Sequence, residues 1–426
     1  MDKSEEYTDA NLTEDAIVED SEKEMETVYD PEAKELDINP FNPEDISIIT
    51  NSMSMDFVIR RLIQGSIILN PDFQRKEVWS WEKRSQLIES IMLKIPLPMF
   101  YMQSDEDGVY TVVDGLQRLS TIRDYVLGAD YMNSKKEDGS RREELRGLGF
   151  KLKGLEFWSE YEGKQFCQLP PKLQNRILEA QFQVTVIQPT TPEVVRRNIF
   201  KRINTGGVQL NSQEIRNAIY TGKATELLNE MAKMECFVKL VGNSVNKQRM
   251  QDKELILRFL SFMVRNYTDY NRTVTADMWL GDTMIIINSM DDLNNLDYRR
   301  LSNWKTKEPL KIKTLQKDYI LSYFERSMTR CSEMFGEHAF RKSFEGEKKS
   351  PINRCLFETW AVVMGRYSVP EYKKLYSNRR EFLEDYRKII KTDTDFDLSI
   401  SKYSMRHSLL KKRFQMLIDL TDKYVL

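Results

Sequence analysis

Strand-like segments in this chain are confined to its first half, and that asymmetry limits the folds open to it. SIILNP (66–71), MFYMQ (99–103), GVYTVVD (108–114) and QFQVTVIQP (181–189) read as short strands, the middle two around an Asp-Glu-Asp-Gly turn. Helical spacing fills the intervals. MSMDFVIRRLIQG (53–65) has Ser52 or Ser54 as cap and Gly65 as stop. A second helix begins near Ser80, buries Leu87, Ile88 and Ile91, and is closed by Pro96. The segment from Leu116 to Leu127 places Leu119, Ile122 and Val126 on one face. PEVVRRNIFKRI (192–203) is helical with Pro192 in its first turn. After an NTGG turn, NSQEIRNAIY restarts a helix in which Asn211 and Glu214 suit a capping box. The polar run 131–149 reads as an inserted loop. Beyond roughly residue 230 the pattern is almost wholly helical. The expected fold is therefore α+β: an acidic arm over 1–45, a mixed domain over 46–235 and a mainly helical domain over 236–426.

At 426 residues the chain exceeds one small core, and two or three domains are expected from size. Its net charge of −2 hides a division, because residues 1–40 hold 15 Asp or Glu against 3 Lys. The arm is expected to be disordered, and either solubilises the protein or interacts with something. The body is mildly basic, which permits a nucleic-acid or nucleotide partner without demanding one. No stretch approaches a membrane span, and the start lacks the basic and apolar regions of a signal peptide. A cytoplasmic location with no membrane partner is expected. Four scattered cysteines fit a reducing compartment. His338 and His407 are the only histidines, too few for a zinc site or a His-metal nuclease centre.

Four groups of residues are candidates for chemistry. In TVVDGLQRLS (111–120) an apolar run ends in Asp114, Gly115 can turn the chain, and Leu116, Gln117 and Arg118 open a helix. A carboxylate there could hold a divalent cation or position a water, and Arg118 could pair with phosphate oxygens. Amides at the helix start favour an anion. The same spacing also suits Asp114 as a helix cap with Arg118 in a structural ion pair. In NPDFQRKEVWSWEKR (70–84) the useful members are Gln74 and Arg75, with Lys76 and Lys83 nearby. Trp79 and Trp81 could stack on a base, although core packing is the commoner use of tryptophan. In FKRINTGGVQLNSQEIRNA, Asn204, Thr205, Gly206 and Gly207 supply a backbone that a phosphate could approach, with Arg202 and Arg216 on either side. A two-glycine turn needs no ligand, and the Gly-x-x-x-x-Gly-Lys pattern is absent here. Arg249, Asp252, Glu254 and Arg258 read as structural polar residues at an interdomain seam.

PDFQRKEVW, LPMFYM, VVDGLQRLSTI and FKRINTGGVQLNSQEIRNA occur in this order over roughly residues 50–260. Together they resemble the amino-terminal domain of GmrSD-type modification-dependent restriction enzymes, a family related to the ParB nuclease/sulfiredoxin fold. The family's Asp-Gly-Gln-Gln-Arg motif falls on Asp114 to Arg118, with Leu116 in place of the first Gln. Its Gln-Arg pair falls on Gln74 and Arg75, and its Asn-Thr-Gly-Gly turn on Asn204 to Gly207, followed by Glu214 and Arg216.

The resemblance implies a nucleoside-triphosphatase of a restriction or anti-phage system. Asp114, Gln117, Arg118 and Arg75 would be catalytic, with Gln74, Asn204, Thr205, Gly206, Gly207 and Arg216 holding the nucleotide. Asp114 would bind Mg²⁺ or orient the attacking water. Full-length restriction members carry a further His-Asn-His nuclease domain, for which this chain offers no histidine site. DNA, a separate nuclease chain and a second copy of the chain are the implied partners. Two alternatives stay open: a metal-dependent DNA endonuclease using the same pocket, and a non-catalytic module that senses nucleotide or DNA and gates a partner. Leu116 favours the module.

Overall fold

The computed structural model describes residues 46–69, 79–134, 140–203, 211–272, 274–290, 292–296, 301, 316–402 and 405–425. They divide into two compact units, with the boundary between Ile219 and Tyr220. The molecule is α+β, a five-stranded sheet with helices in the first unit and helices throughout the second.

In the first unit the order is β1 (Ile48–Ser54), α1 (Met55–Gln64), β2 (Ile67–Ile68), α2 (Trp81–Met92), β3 (Phe100–Ser104), β4 (Tyr110–Asp114), α3 (Leu116–Val126), α4 (Ala129–Asn133), α5 (Pro171–Leu178), β5 (Gln181–Ile187), α6 (Glu193–Ile203) and α7 (Ser212–Ile219). Local chemistry sets several of these ends. The Ser54 hydroxyl accepts from the amide of Phe57 at 3.4 Å, and Gly65 stops α1 in the left-handed region. Ser80 caps α2 by accepting from the amide of Lys83 at 3.3 Å.

The sheet runs β1-β5-β3-β4-β2. The β1–β5 and β3–β4 pairs are antiparallel, and β3–β5 and β2–β4 are parallel. Phe100, Met102, Val112, Val184 and Val186 share the core with Val58, Ile59 and Leu62 of α1, Ile88 and Met92 of α2, and Leu119 and Ile122 of α3. Strand β1 was not evident from sequence. It is an edge strand, exposed along most of its length, so IITNSMS carries little hydrophobic alternation.

One buried carboxylate ties this core to an irregular segment. Glu89 of α2 accepts the backbone amides of Glu156, Phe157 and Trp158 at 2.9, 2.8 and 2.9 Å. Glu89→Ala strands three amides at once, and we expect a loss of about 2–4 kcal/mol in urea unfolding. A loss under about 1 kcal/mol would show that solvent replaces the carboxylate.

The second unit comprises α8 (Lys223–Met231), α9 (Glu235–Val241), α10 (Gln251–Val264), α11 (Ala276–Asn288), α12 (Lys317–Phe335), α13 (Arg354–Arg366), α14 (Val369–Ser377), α15 (Arg379–Thr392), α16 (Thr394–Ile400) and α17 (His407–Val425). Helix α13 is central, packed against α10, α12 and α17. Among the described residues no helix is long and apolar enough to cross a membrane.

Candidate functional site

The apolar run of β4 ends at Asp114, and a β-bulge decides where that carboxylate stands. Gln103 pairs with Thr111 and Met102 with Val112, but Tyr101 pairs with Asp114, leaving Val113 as the extra residue. Without the bulge, Asp114 would face Phe100, a fully buried core residue. With it, Asp114 joins the face of Tyr101, since directly paired residues share a face. Tyr101 in turn pairs with Thr185 of β5, and Thr185 with Thr50 of β1. The two threonine hydroxyls lie 3.1 Å apart. A polar row, Thr50–Thr185–Tyr101–Asp114, thus crosses four strands.

Gly115 follows with φ +91°, and α3 begins there without a side-chain cap. Asp114 therefore does not cap the helix, and α3 has no side-chain cap among the described residues. Arg118, one turn on, folds back toward the strand. It donates to Asp114 Oδ2 at 2.9 Å, to the carbonyl of Met99 at 3.1 Å and to the carbonyl of Pro98. Its guanidinium lies 4.3 Å over the Phe100 ring. Burial lowers its pKa, and the charge of Asp114 opposes that shift. Arg118 is thus a clamp joining the end of β4 to the entry of β3. Asp114 keeps its other carboxylate oxygen without a partner among the described residues, and so does the half-buried amide of Gln117.

Helix α7 carries the next group. Its capping box is reciprocal: the Asn211 amide donates to Glu214 at 2.7 Å, and the Glu214 amide donates to Asn211 Oδ1 at 2.9 Å. Arg216 is buried, with Nε donating to Gln213 Oε1 at 3.0 Å. Gln213 Nε2 donates to Asn217 Oδ1 at 2.9 Å. The end of the helix is tied to the sheet, because Gln103 Nε2 donates to the carbonyl of Ile219 at 3.3 Å. Gln103 lies two residues from Tyr101 on β3 and so shares its face.

The structure therefore brings Asp114, Gln117 and Arg118 together at the β4–α3 junction and places Arg216 on α7. Gln74, Arg75, Asn204, Thr205, Gly206 and Gly207 lie outside the described residues. Trp79 packs against the core, whereas Trp81 is exposed and has the Arg84 guanidinium 5.1 Å over its ring. Gln103 and Asn217 went unnoticed in the sequence. The one signal for Asn217 was its i, i+4 spacing from Gln213 in NSQEIRNAIY. Glu254 and Arg258 belong to a buried ion network inside the helical unit, and His338 is bonded to Ser343 at 2.9 Å. No cluster of three or more His, Cys, Asp or Glu able to hold a metal occurs among the described residues.

Residues 59–221 match the family model described as the GmrSD restriction endonuclease, N-terminal domain. No curated protein and no solved structure matches the chain. The matched span runs from α1 to just beyond α7 and contains both the β4–α3 junction and Arg216. Residues 59–221 thus carry a domain similar to the N-terminal domain of GmrSD-type restriction endonucleases, which points to a restriction-system component.

Proposed function

We propose that this domain binds a nucleoside triphosphate at the β4–α3 junction and hydrolyses it, and that turnover controls DNA restriction by a partner nuclease. The observation that carries this reading is the bulge, which turns Asp114 out of the core beside an uncapped helix start. Helix-start amides attract phosphate oxygens. The open oxygen of Asp114 suits Mg²⁺, which commonly takes one or two carboxylates and fills its remaining positions with water and phosphate oxygens. Bound there, Mg²⁺ would neutralise charge on the phosphates.

The chain's own residues have distinct tasks in this reading. Asp114 either binds Mg²⁺ or orients the attacking water through its open oxygen, and Gln117 supplies an amide to the same water or to a phosphate oxygen. Arg118 is a positioning residue, since its contacts to Asp114 and to the carbonyls of Pro98 and Met99 hold the carboxylate in one rotamer. Charge developing on the phosphates is then left to Arg75 and Arg216, with Gln74, Asn204, Thr205, Gly206 and Gly207 completing the cradle.

The test is phosphate release from ATP, GTP, CTP and UTP with Mg²⁺, beside a plasmid-nicking assay on the same samples. Asp114→Ala should reduce turnover by about 100-fold or more, and melting curves establish that the variant is folded. Arg118→Ala should lower both turnover and stability, because it also releases two carbonyls. Nicking without phosphate release would make the pocket an endonuclease. Nucleotide binding without either activity would make it a sensing module.

A further inference from the structure

The oxygen and nitrogen of a side-chain amide are told apart by their partners, and here the partners leave no choice. Gln103 is 8% exposed, and its one hydrogen bond runs to the backbone carbonyl of Ile219. A carbonyl only accepts, so the Gln103 atom that meets it is nitrogen, and Oε1 remains, buried and without a partner among the described residues. On α7, Arg216 only donates, so the Gln213 atom that meets it is oxygen. Gln213 must then donate through nitrogen to Asn217, and the Asn217 atom that receives it is oxygen. Asn217 is fully buried, and its Nδ2 has no partner among the described residues. Two elements joined by a hydrogen bond thus carry one open acceptor and one open donor.

We propose that Gln103 and Asn217 recognise the base of the nucleotide and set which base is preferred. This rests on the nucleotide reading above. The sheet face of Gln103 is that of Tyr101 and Asp114, so the open acceptor and the phosphate-side carboxylate lie on the same face of the sheet, the acceptor buried beneath α7. The chemistry of the open pair selects the ligand moiety. Phosphate oxygens only accept and would satisfy Asn217 alone. The edge of a nucleobase presents neighbouring donors and acceptors and satisfies both. An unmade buried hydrogen bond is costly, so a ligand that makes it gains strongly over one that cannot.

Equilibrium binding to the full chain with Mg²⁺ tests this, using ATP, GTP, CTP, UTP and inorganic triphosphate as probes. Wild type should bind at least one nucleotide about 10–100-fold more tightly than triphosphate. Gln103→Met removes the open acceptor at similar volume, together with the bond to Ile219, and should lower the affinity for that nucleotide at least about 10-fold more than the affinity for triphosphate. Asn217→Asp keeps the bond from Gln213 and puts an acceptor where the donor stood, so it should reorder the four nucleotides. Melting curves establish that each variant is folded. Folded variants that keep the wild-type base preference would overturn the proposal while leaving the phosphate site standing, with water as the partner of both amides. Wild type that binds neither triphosphate nor any nucleotide would instead remove the nucleotide reading, and this inference with it.

Discussion

Glu358→Ala should destabilise the helical unit by about 3–5 kcal/mol, the largest loss we expect from a single substitution in this chain. Glu358 of α13 is fully buried and accepts from two arginines on different helices: Arg258 of α10 at 3.1 Å, and Arg413 of α17. Arg258 is shared with Glu254 at 3.1 Å, which also meets Arg354 at 3.2 Å. Arg413 is anchored further by Thr359 at 2.9 Å and by the carbonyl of Ser399. Burial by itself would lower the pKa of Arg258, but Glu254 and Glu358 reverse this and raise it. Removing Glu358 leaves two buried guanidiniums facing a site that no longer balances them. Urea denaturation measures the cost. The triple replacement of Glu358, Arg258 and Arg413 by methionine should recover much of it, because a filled apolar site carries no charge to desolvate. A single-variant loss below about 1 kcal/mol would mean that water reaches the network.

Gly115→Ala is the second large effect, and it acts on the candidate site. The residue sits at φ +91°, where an L side chain is strained by about 1–2 kcal/mol. Its Cβ would stand 2.3 and 2.8 Å from two ring atoms of Phe100 and 3.2 Å from Arg118 Nη2. Phe100 is fully buried and packs tilted against Phe182, ring centroids 4.8 Å apart, so the ring has no room to yield. Overpacking adds about 1–3 kcal/mol, for a total of roughly 2–5 kcal/mol. The same displacement unseats Arg118, so the turnover proposed for this site should fall with stability. Gly108→Ala is the control. It also has a positive φ, +76°, but nothing lies within 4 Å of the added carbon. It should cost about 1–2 kcal/mol and leave turnover unchanged. Equal losses in the two variants would show that the Phe100 contact carries no energy.

The candidate site was legible in outline. TVVDGLQRLS reads directly as strand, turn and helix, and the structure places Asp114, Gln117 and Arg118 at one junction. What those side chains do there was not legible. The spacing allowed Arg118 to face a phosphate or to pair with Asp114, and the choice lay with Pro98 and Met99, whose carbonyls take its donors from 20 and 19 residues away. Nor could composition show that Asp114 leaves the cap position open. That follows from the backbone of Gly115, which moves the start of α3 one residue past the carboxylate.

Helix ends were written in the sequence because they are settled within a few residues: Ser54 and Ser80 as caps, Gly65 as a stop, Asn211 and Glu214 as a reciprocal box. The confinement of strands to the first half of the chain was equally plain, since the hydrophobic period changes there. Strand order, the bulge at Val113 and the face that Asp114 joins were decided only by tertiary structure. Each depends on pairing between distant segments, as when Thr50 meets Thr185 at a separation of 135 residues and Gln103 meets Ile219 at 116. A strand's own alternation leaves open which partner it finds, and a shift of one residue exchanges its two faces. For the same reason the open amides of Gln103 and Asn217 emerge only when every neighbouring donor and acceptor has been placed.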